Sequence, residues 1–288
     1  MVRPLPDDTR GIVDPVAMMR HVDFARSDPG PHLDGVVAWF WSVAWELPVG
    51  MVHEQEVLNH PAGNISIGTL DDAGRRLDPA DGRVYGVMTR RSVRRLALDG
   101  WTVAARSAVG GLGVLLDAPA VTATDAELRL DALPGLDARR VLDDVRQATT
   151  NDERIGCLRS ALDAMVERRD SRLVAEGREV ANVAAIAETD RSVRRVDDLA
   201  GVAGVSVRTL QRLFDQHVGA SPSFVIRRWR IIEAAESARL AIDGDGEWPG
   251  WASIAAELGY ADQAHLTRDF RRHLGLSPSA YLTQASAG

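Results

Sequence analysis

The feature that most constrains this chain is a repeat inside its last hundred residues. Leu210, Arg212, Phe214, His217, Gly219, Ser221 and Pro222 recur as Leu266, Arg268, Phe270, His273, Gly275, Ser277 and Pro278, at a constant offset of 56. Upstream, Leu199, Ala200 and Gly204 recur as Ile254, Ala255 and Gly259 at an offset of 55, so the second copy carries one more residue in its turn. A repeat of this kind signals a supersecondary unit used twice. Each copy has the parts of two helices crossing at a tight turn. Leu199-Ala200 and Ile254-Ala255 face inward on the first helix, and the small residue permits a close crossing. Gly204 and Gly259 stand where that helix must end, because glycine accepts the left-handed exit. Ser206 and Asp262 are placed to cap the next helix. Leu210, Leu213 and Phe214, and in the second copy Leu266, Phe270 and Leu274, form its buried stripe. Ser221-Pro222 and Ser277-Pro278 restart the chain as N-cap and first helical residue.

What the second helix of each copy leaves outward is chemically specific. In the first copy it is Arg208, Gln211 and Arg212, at i, i+3 and i+4 on one face. In the second it is Gln263, Ala264, His265, Thr267 and Arg268. Arginine forks to guanine and glutamine to adenine, so this is a base-reading set. Between the copies, Val225, Trp229, Ile232, Ala235 and Leu240 give a helix from Pro222 to about Ala241 an apolar side. At ~1.5 Å per residue it spans roughly 30 Å, close to the roughly 34 Å turn of B-DNA. Asp243–Gly250 reads as a solvated connection.

Charge agrees once the chain is divided. The 34 cations, all arginine, face 41 acidic residues, a net charge of −7. Residues 190–288 carry 12 Arg and 12 Asp plus Glu, so the whole acidic excess lies in residues 1–189. A neutral domain binds nucleic acid when its arginines share a face.

The preceding residues read differently. Residues 1–32 hold five prolines and read as an arm, or a strand with loops. Val36–Glu46 alternates with period two, and further strands are expected at 51–58, 64–70, 83–89, 93–98 and 101–109. Apolar spacing of three and four then predicts helices over 137–149, 152–169 and about 174–188. The fold class is therefore α+β: a β barrel or sandwich over residues 1–125, a helical connector over 126–189 with a capacity for dimer contacts, and an all-α domain with two helix-turn-helix units over 190–288.

The segments Gly204–Phe214 and Gly259–Tyr281 resemble the DNA-binding domain of the AraC/XylS transcription regulators. The resemblance covers about residues 191–284. It implies two helix-turn-helix units joined by a long helix and binding to double-stranded promoter DNA. Arg208, Gln211 and Arg212 would face bases in the first unit; Gln263, His265 and Arg268 would do so in the second, with Thr267 nearer the backbone. Many such regulators carry a cupin-like barrel ahead of this domain, and the strand string here, including Glu56–Asn64, is similar to that type. A small-molecule effector, RNA polymerase and a second copy of the chain are then candidate partners.

Other chemistries fare worse. His53, Glu54, Glu56 and His60 lack the spacing of a metal-binding cupin, so no metal or cofactor is expected. Cys157, the single cysteine, sits in a helical pattern and reads as a structural thiol. Gly110-Gly111-Leu112-Gly113 lacks the lysine of a phosphate loop. Trp39, Trp41 and Trp45 share one strand face, where they pack a core or line an effector pocket. No apolar run reaches a membrane-spanning length and no secretory leader is visible, which points to the cytoplasm. The competing reading is a small-molecule-binding or enzymatic cupin-like protein whose helical tail makes protein contacts.

Overall fold

The computed structural model describes residues 22–57, 59–71, 73–90, 92–243 and 249–285. Most of the N-terminal arm and the centre of the Asp243–Gly250 connection lie outside them.

Eight strands are described: β1 (Val22–Ser27), β2 (Val37–Glu46), β3 (Val52–Val57), β4 (Asn64–Leu70), β5 (Arg76–Tyr85), β6 (Ser92–Ala97), β7 (Asp99–Ser107) and β8 (Glu127–Arg129). They form a six-stranded sheet in the order β1-β2-β7-β4-β5-β8 and a separate pair, β3-β6. Every pairing is antiparallel. Among the described residues the strands do not close into a barrel, which corrects that half of the barrel-or-sandwich expectation. The larger sheet ends on β1 and on β8, whose three residues offer little edge to pair. The two sheets face each other instead. Trp45 Nε1 donates to the Ala97 carbonyl (3.2 Å), and the Arg94 guanidinium lies 4.7 Å from the Tyr85 ring centre. Strand β5 begins at Arg76, ahead of the strand expected from residue 83.

The helices are α1 (Leu112–Leu116), α2 (Ala138–Gln147), α3 (Asn151–Glu167), α4 (Ser171–Thr189), α5 (Val196–Val202), α6 (Val207–His217), α7 (Pro222–Asp243), α8 (Gly250–Glu257), α9 (Gln263–Leu274) and α10 (Pro278–Ala285). The three connector helices form where spacing placed them. Helix α3 starts on a reciprocal cap between Thr150 and Glu153. No helix of the described residues is long and apolar enough to cross a membrane.

One hydrophobic core runs from Leu33 and Phe40 in the sheet, through Leu158 and Val180 in the connector, to Phe214 and Phe270 in the repeat. The helical repeat is seated on the rest of the chain by close backbone approaches. A Cβ built at Gly113 would overlap the Gln216 carbonyl oxygen at the end of α6. Thr124 Oγ1 donates to the Gly219 carbonyl (2.6 Å), and His217 Nε2 lies 2.8 Å from Glu176 Oε2. On α7, Arg228 is fully buried and donates to the Thr89 carbonyl (2.9 Å), while Trp229 stacks edge-on against His60 at 5.2 Å. The glycine run that does not make a phosphate loop is thus a docking seat.

This seating has a test. Gly113→Ala puts a methyl group against backbone that cannot rotate away, and is expected to destabilise the protein by about 1–3 kcal/mol. At Gly156, inside α3, a Cβ meets nothing within 4 Å. Gly156→Ala should therefore stabilise by about 0.5–1 kcal/mol. Denaturant midpoints of the two variants shifting in the same direction would refute the packing described for Gly113.

Candidate nucleic-acid interface

The repeat folds as two related units. Gly204 and Gly259 have φ of 65° and 75°, and Gly219 and Gly275 have 85° and 74°, so all four turns occupy the left-handed region. Ser206 Oγ accepts from the Thr209 amide (3.1 Å), and Asp262 Oδ1 accepts from the His265 amide (2.6 Å), which caps α6 and α9. Ser221 and Ser277 cap α7 and α10 in the same way, at 3.3 and 3.2 Å. Leu199, Ala200, Leu210 and Phe214 are buried in the first unit, and Ile254, Ala255, Leu266 and Phe270 in the second. Leu213 is half-buried.

With those faces committed to the core, the opposite faces are left to solvent. Arg208, Gln211 and Arg212 on α6 are exposed, as are Gln263, Ala264, His265 and Arg268 on α9; Thr267 is half-buried. Helix α7, 22 residues long, joins the two units.

The charge arrangement explains how a domain of zero net charge presents a basic surface. Several of its acidic residues serve local duties. Asp198 accepts from the Arg194 and Arg195 amides, which hold its carboxyl below the usual range. Asp262 caps α9, and Glu233 pairs with Arg191 and Arg230. Among the described residues, no carboxylate lies within ion-pair distance of Arg194, Arg195, Arg208, Arg212, Arg227, Arg268, Arg271 or Arg272, and all eight are exposed. In the sheet, by contrast, Arg75, Arg76, Arg83, Arg95 and Arg129 are ion-paired. Arg194, Arg195, Arg227, Arg271 and Arg272 escaped the sequence reading because they lie off the two periodic faces. The doublets Arg194-Arg195, Arg227-Arg228 and Arg271-Arg272 were the available signal.

Behind α9 the buried guanidinium of Arg228 lies against His273. His273 is buried, and its imidazole is pushed down to about 4 by desolvation and by Arg228, Arg227 and Arg272. It carries no charge at neutral pH, so it adds nothing to the positive charge of the arginines around it.

Comparison with known proteins bears on this segment directly. A helix-turn-helix domain family matches residues 199–284. A putative AraC-like transcription regulator of Streptomyces lividans is 40% identical over 86 residues, 30% of this chain and 26% of that protein. The C-terminal segment is similar to the helix-turn-helix domain of AraC-like regulators. The transcriptional regulator RipA of Corynebacterium glutamicum matches the AraC-type segment too, at 37% identity over 89 residues, 31% of this chain and 24% of RipA. These matches span about a quarter of each relative's length. A domain family of unknown function (DUF6597) matches residues 25–129, the sheet ahead of the AraC-type segment. Among solved structures, ToxT from Vibrio cholerae is similar over 86% of this chain and 99% of its own, with 12% identity and a TM-score of 0.39.

The remaining candidate residues sit in the sheet. Trp45 is buried in a small core with Val22 and Leu47, flanked by Leu70 and Leu96, so it packs rather than lines. Trp39 is half-buried, with the Arg26 and Arg106 guanidiniums 4.7 and 4.5 Å from its ring. Trp41 Nε1 donates to Asn64 Oδ1 (3.3 Å). The His/carboxylate cluster is dispersed: Glu54 pairs with Arg95, and His60 is wedged between Trp39 and Trp229. Cys157 is half-buried, and burial raises its thiol pKa.

Proposed function

We propose that this chain is a sequence-specific, DNA-binding transcription regulator of the AraC type. The observation that carries it is the doubled reading face. Two capped helices, related by the repeat, each turn unpaired arginine and glutamine to solvent from either end of one long helix. Arg208, Gln211, Arg212, Gln263, His265 and Arg268 are the base-facing candidates, with Thr267 toward the backbone. Double-stranded promoter DNA is the partner. RNA polymerase and a second copy of the chain are further partners, and the cytoplasm is the site of action.

In this reading residues 1–125 form the sensing domain, 126–189 the connector and 190–288 the DNA-binding domain. The strand pairs β2–β7, β4–β5 and β3–β6 nest one inside another, which supports a cupin-like, jelly-roll ancestry for the sheet. A small-molecule effector would act on Trp39 and Trp41, whose neighbour His60 touches Trp229 on the joining helix. To regulate, that ligand must bind one arrangement of the two parts better than the other.

The test is selection of binding sites from random double-stranded DNA with the full chain. Two sequence elements about one helical turn apart are expected. Failure to retain any DNA at low salt, where phosphate attraction is strongest, would favour the small-molecule-binding alternative.

A further inference from the structure

A cleft of about 400 Å³ lies between the two helix-turn-helix units, and of the reading faces only His265 reaches it. Arg194 and Arg195 line it from just before α5, Arg227 and Arg230 from α7, Tyr260 from the second turn, and His265 from α9. We propose that this cleft grips a phosphodiester group of the DNA strand that runs between the two grooves. The proposal rests on the DNA-binding reading and adds a site to it.

The chemistry is that of a phosphoryl seat. The guanidiniums of Arg194, Arg195 and Arg227 are exposed, and no described carboxylate pairs with them. Each offers a planar fork matched to phosphate oxygens. Asp198 holds the Arg194 and Arg195 amides at 2.9 and 2.8 Å, which fixes the backbone that carries both side chains. Arg230 is already engaged, donating to the Val193 carbonyl (2.7 Å) and pairing with Glu233, so it forms wall rather than ligand. The Tyr260 hydroxyl is buried and meets no hydrogen-bond partner in the structure. Burial and the charge of Asp269 raise its pKa, so it stays protonated and is a donor in need of an acceptor. Asp197 and Asp269 also line the cleft and keep it from being uniformly basic.

Arg194 ties the two units together across this site. A Cβ built at Gly259 would stand 2.5 Å from Arg194 Nε, so the turn of the second unit is a platform for the arginine of the first. His265, whose ring stands edge-on to Tyr260 at 5.2 Å, borders the same cleft. His265 thus stands where the cleft meets the outward face of α9.

The experiment uses the full chain and fluorescent duplexes carrying either the selected site or a scrambled one, between about 50 and about 200 mM salt. Arg194→Gln, Arg195→Gln and Arg227→Gln are each expected to weaken binding to both duplexes by the same factor. Each should also reduce the slope of log affinity against log salt by about 0.9, the release of one counterion. Tyr260→Phe keeps the ring contact and is expected to cost several-fold on both duplexes with the slope unchanged. The selected motif should not change in any of the four. Arginine variants with a wild-type slope, or with losses confined to the selected site, would overturn the phosphodiester seat while leaving the regulator reading intact. Wild-type protein that binds neither duplex removes both. Saturable binding of inorganic phosphate, lost in the same variants while their DNA slope stays at wild type, would make this a small-anion site and also overturn the proposal.

Discussion

Truncating Phe270 to alanine is expected to lower stability by about 3–5 kcal/mol, the usual cost of emptying a buried aromatic site. Phe270 is fully buried on α9, and its ring meets those of Trp251 and Tyr281 edge-on at 5.4 and 5.6 Å. Three elements of the second unit therefore converge on one side chain: α8 through Trp251, α9 itself, and α10 through Tyr281. Neither neighbour can fill the space without abandoning its own packing, because each ring is itself buried. Edge-to-face pairs add roughly 0.5–1.5 kcal/mol each beyond area burial, which places this site toward the upper end of the range. The adjacent Arg271 is exposed on the same helix, so Arg271→Ala should stay within about 0.5 kcal/mol of wild type. Equilibrium denaturation of both variants checks this. A loss below about 1 kcal/mol for Phe270→Ala would mean that α9 is not held by the aromatic cluster.

The contrast between Phe270 and Arg271 also shows why part of this molecule was legible in its sequence. The repeat fixes each residue twice, so a buried phenylalanine, a turn glycine and a capping serine or aspartate at matched offsets leave few other folds. Phe214 and Phe270, Gly204 and Gly259, and Ser206 and Asp262 all occupy the roles their positions imply. The sheet was readable only strand by strand. Periodicity located β2, β4 and β7, but it says nothing of which strand pairs with which, because register and order depend on contacts distant in sequence. The docking of the two parts was not readable at all. Gly113 against Gln216, Thr124 against Gly219 and Arg228 against Thr89 join residues with no shared pattern. Trp45 illustrates the same limit. Its strand face was correct, but whether a tryptophan there packs or lines depends on Leu96 across the second sheet. The cleft arginines are legible only in three dimensions, since what distinguishes Arg194 from Arg191 is that Glu233 reaches one and not the other.

Replacing both Arg212 and Arg268 by alanine is expected to reduce affinity for the selected DNA site by about 2–6 kcal/mol, at least about thirtyfold. A bidentate contact to a guanine edge is worth about 1–3 kcal/mol of discrimination, and each unit contributes one such arginine. Both side chains are exposed and unpaired among the described residues, so their removal opens no cavity and orphans no carboxylate. Thermal stability should accordingly match wild type, which separates lost recognition from lost fold. The two losses should also add. Arg212 lies on α6, whose C-terminal end is pinned by the His217–Glu176 contact and by the backbone approach at Gly113. Arg268 lies on α9, packed through Phe270 against α8 and α10. The residues share no partner, and such sites combine to within roughly 0.3–0.5 kcal/mol. Fluorescence anisotropy on the selected site and on single-base variants at fixed salt measures each term. Each single variant should relax preference at one base position, and a different one. An equal loss on every sequence would reassign these arginines to the phosphate backbone. A strongly non-additive pair would mean that the joining helix yields when either contact is lost, and that the distance between the reading helices is set by DNA rather than by the protein.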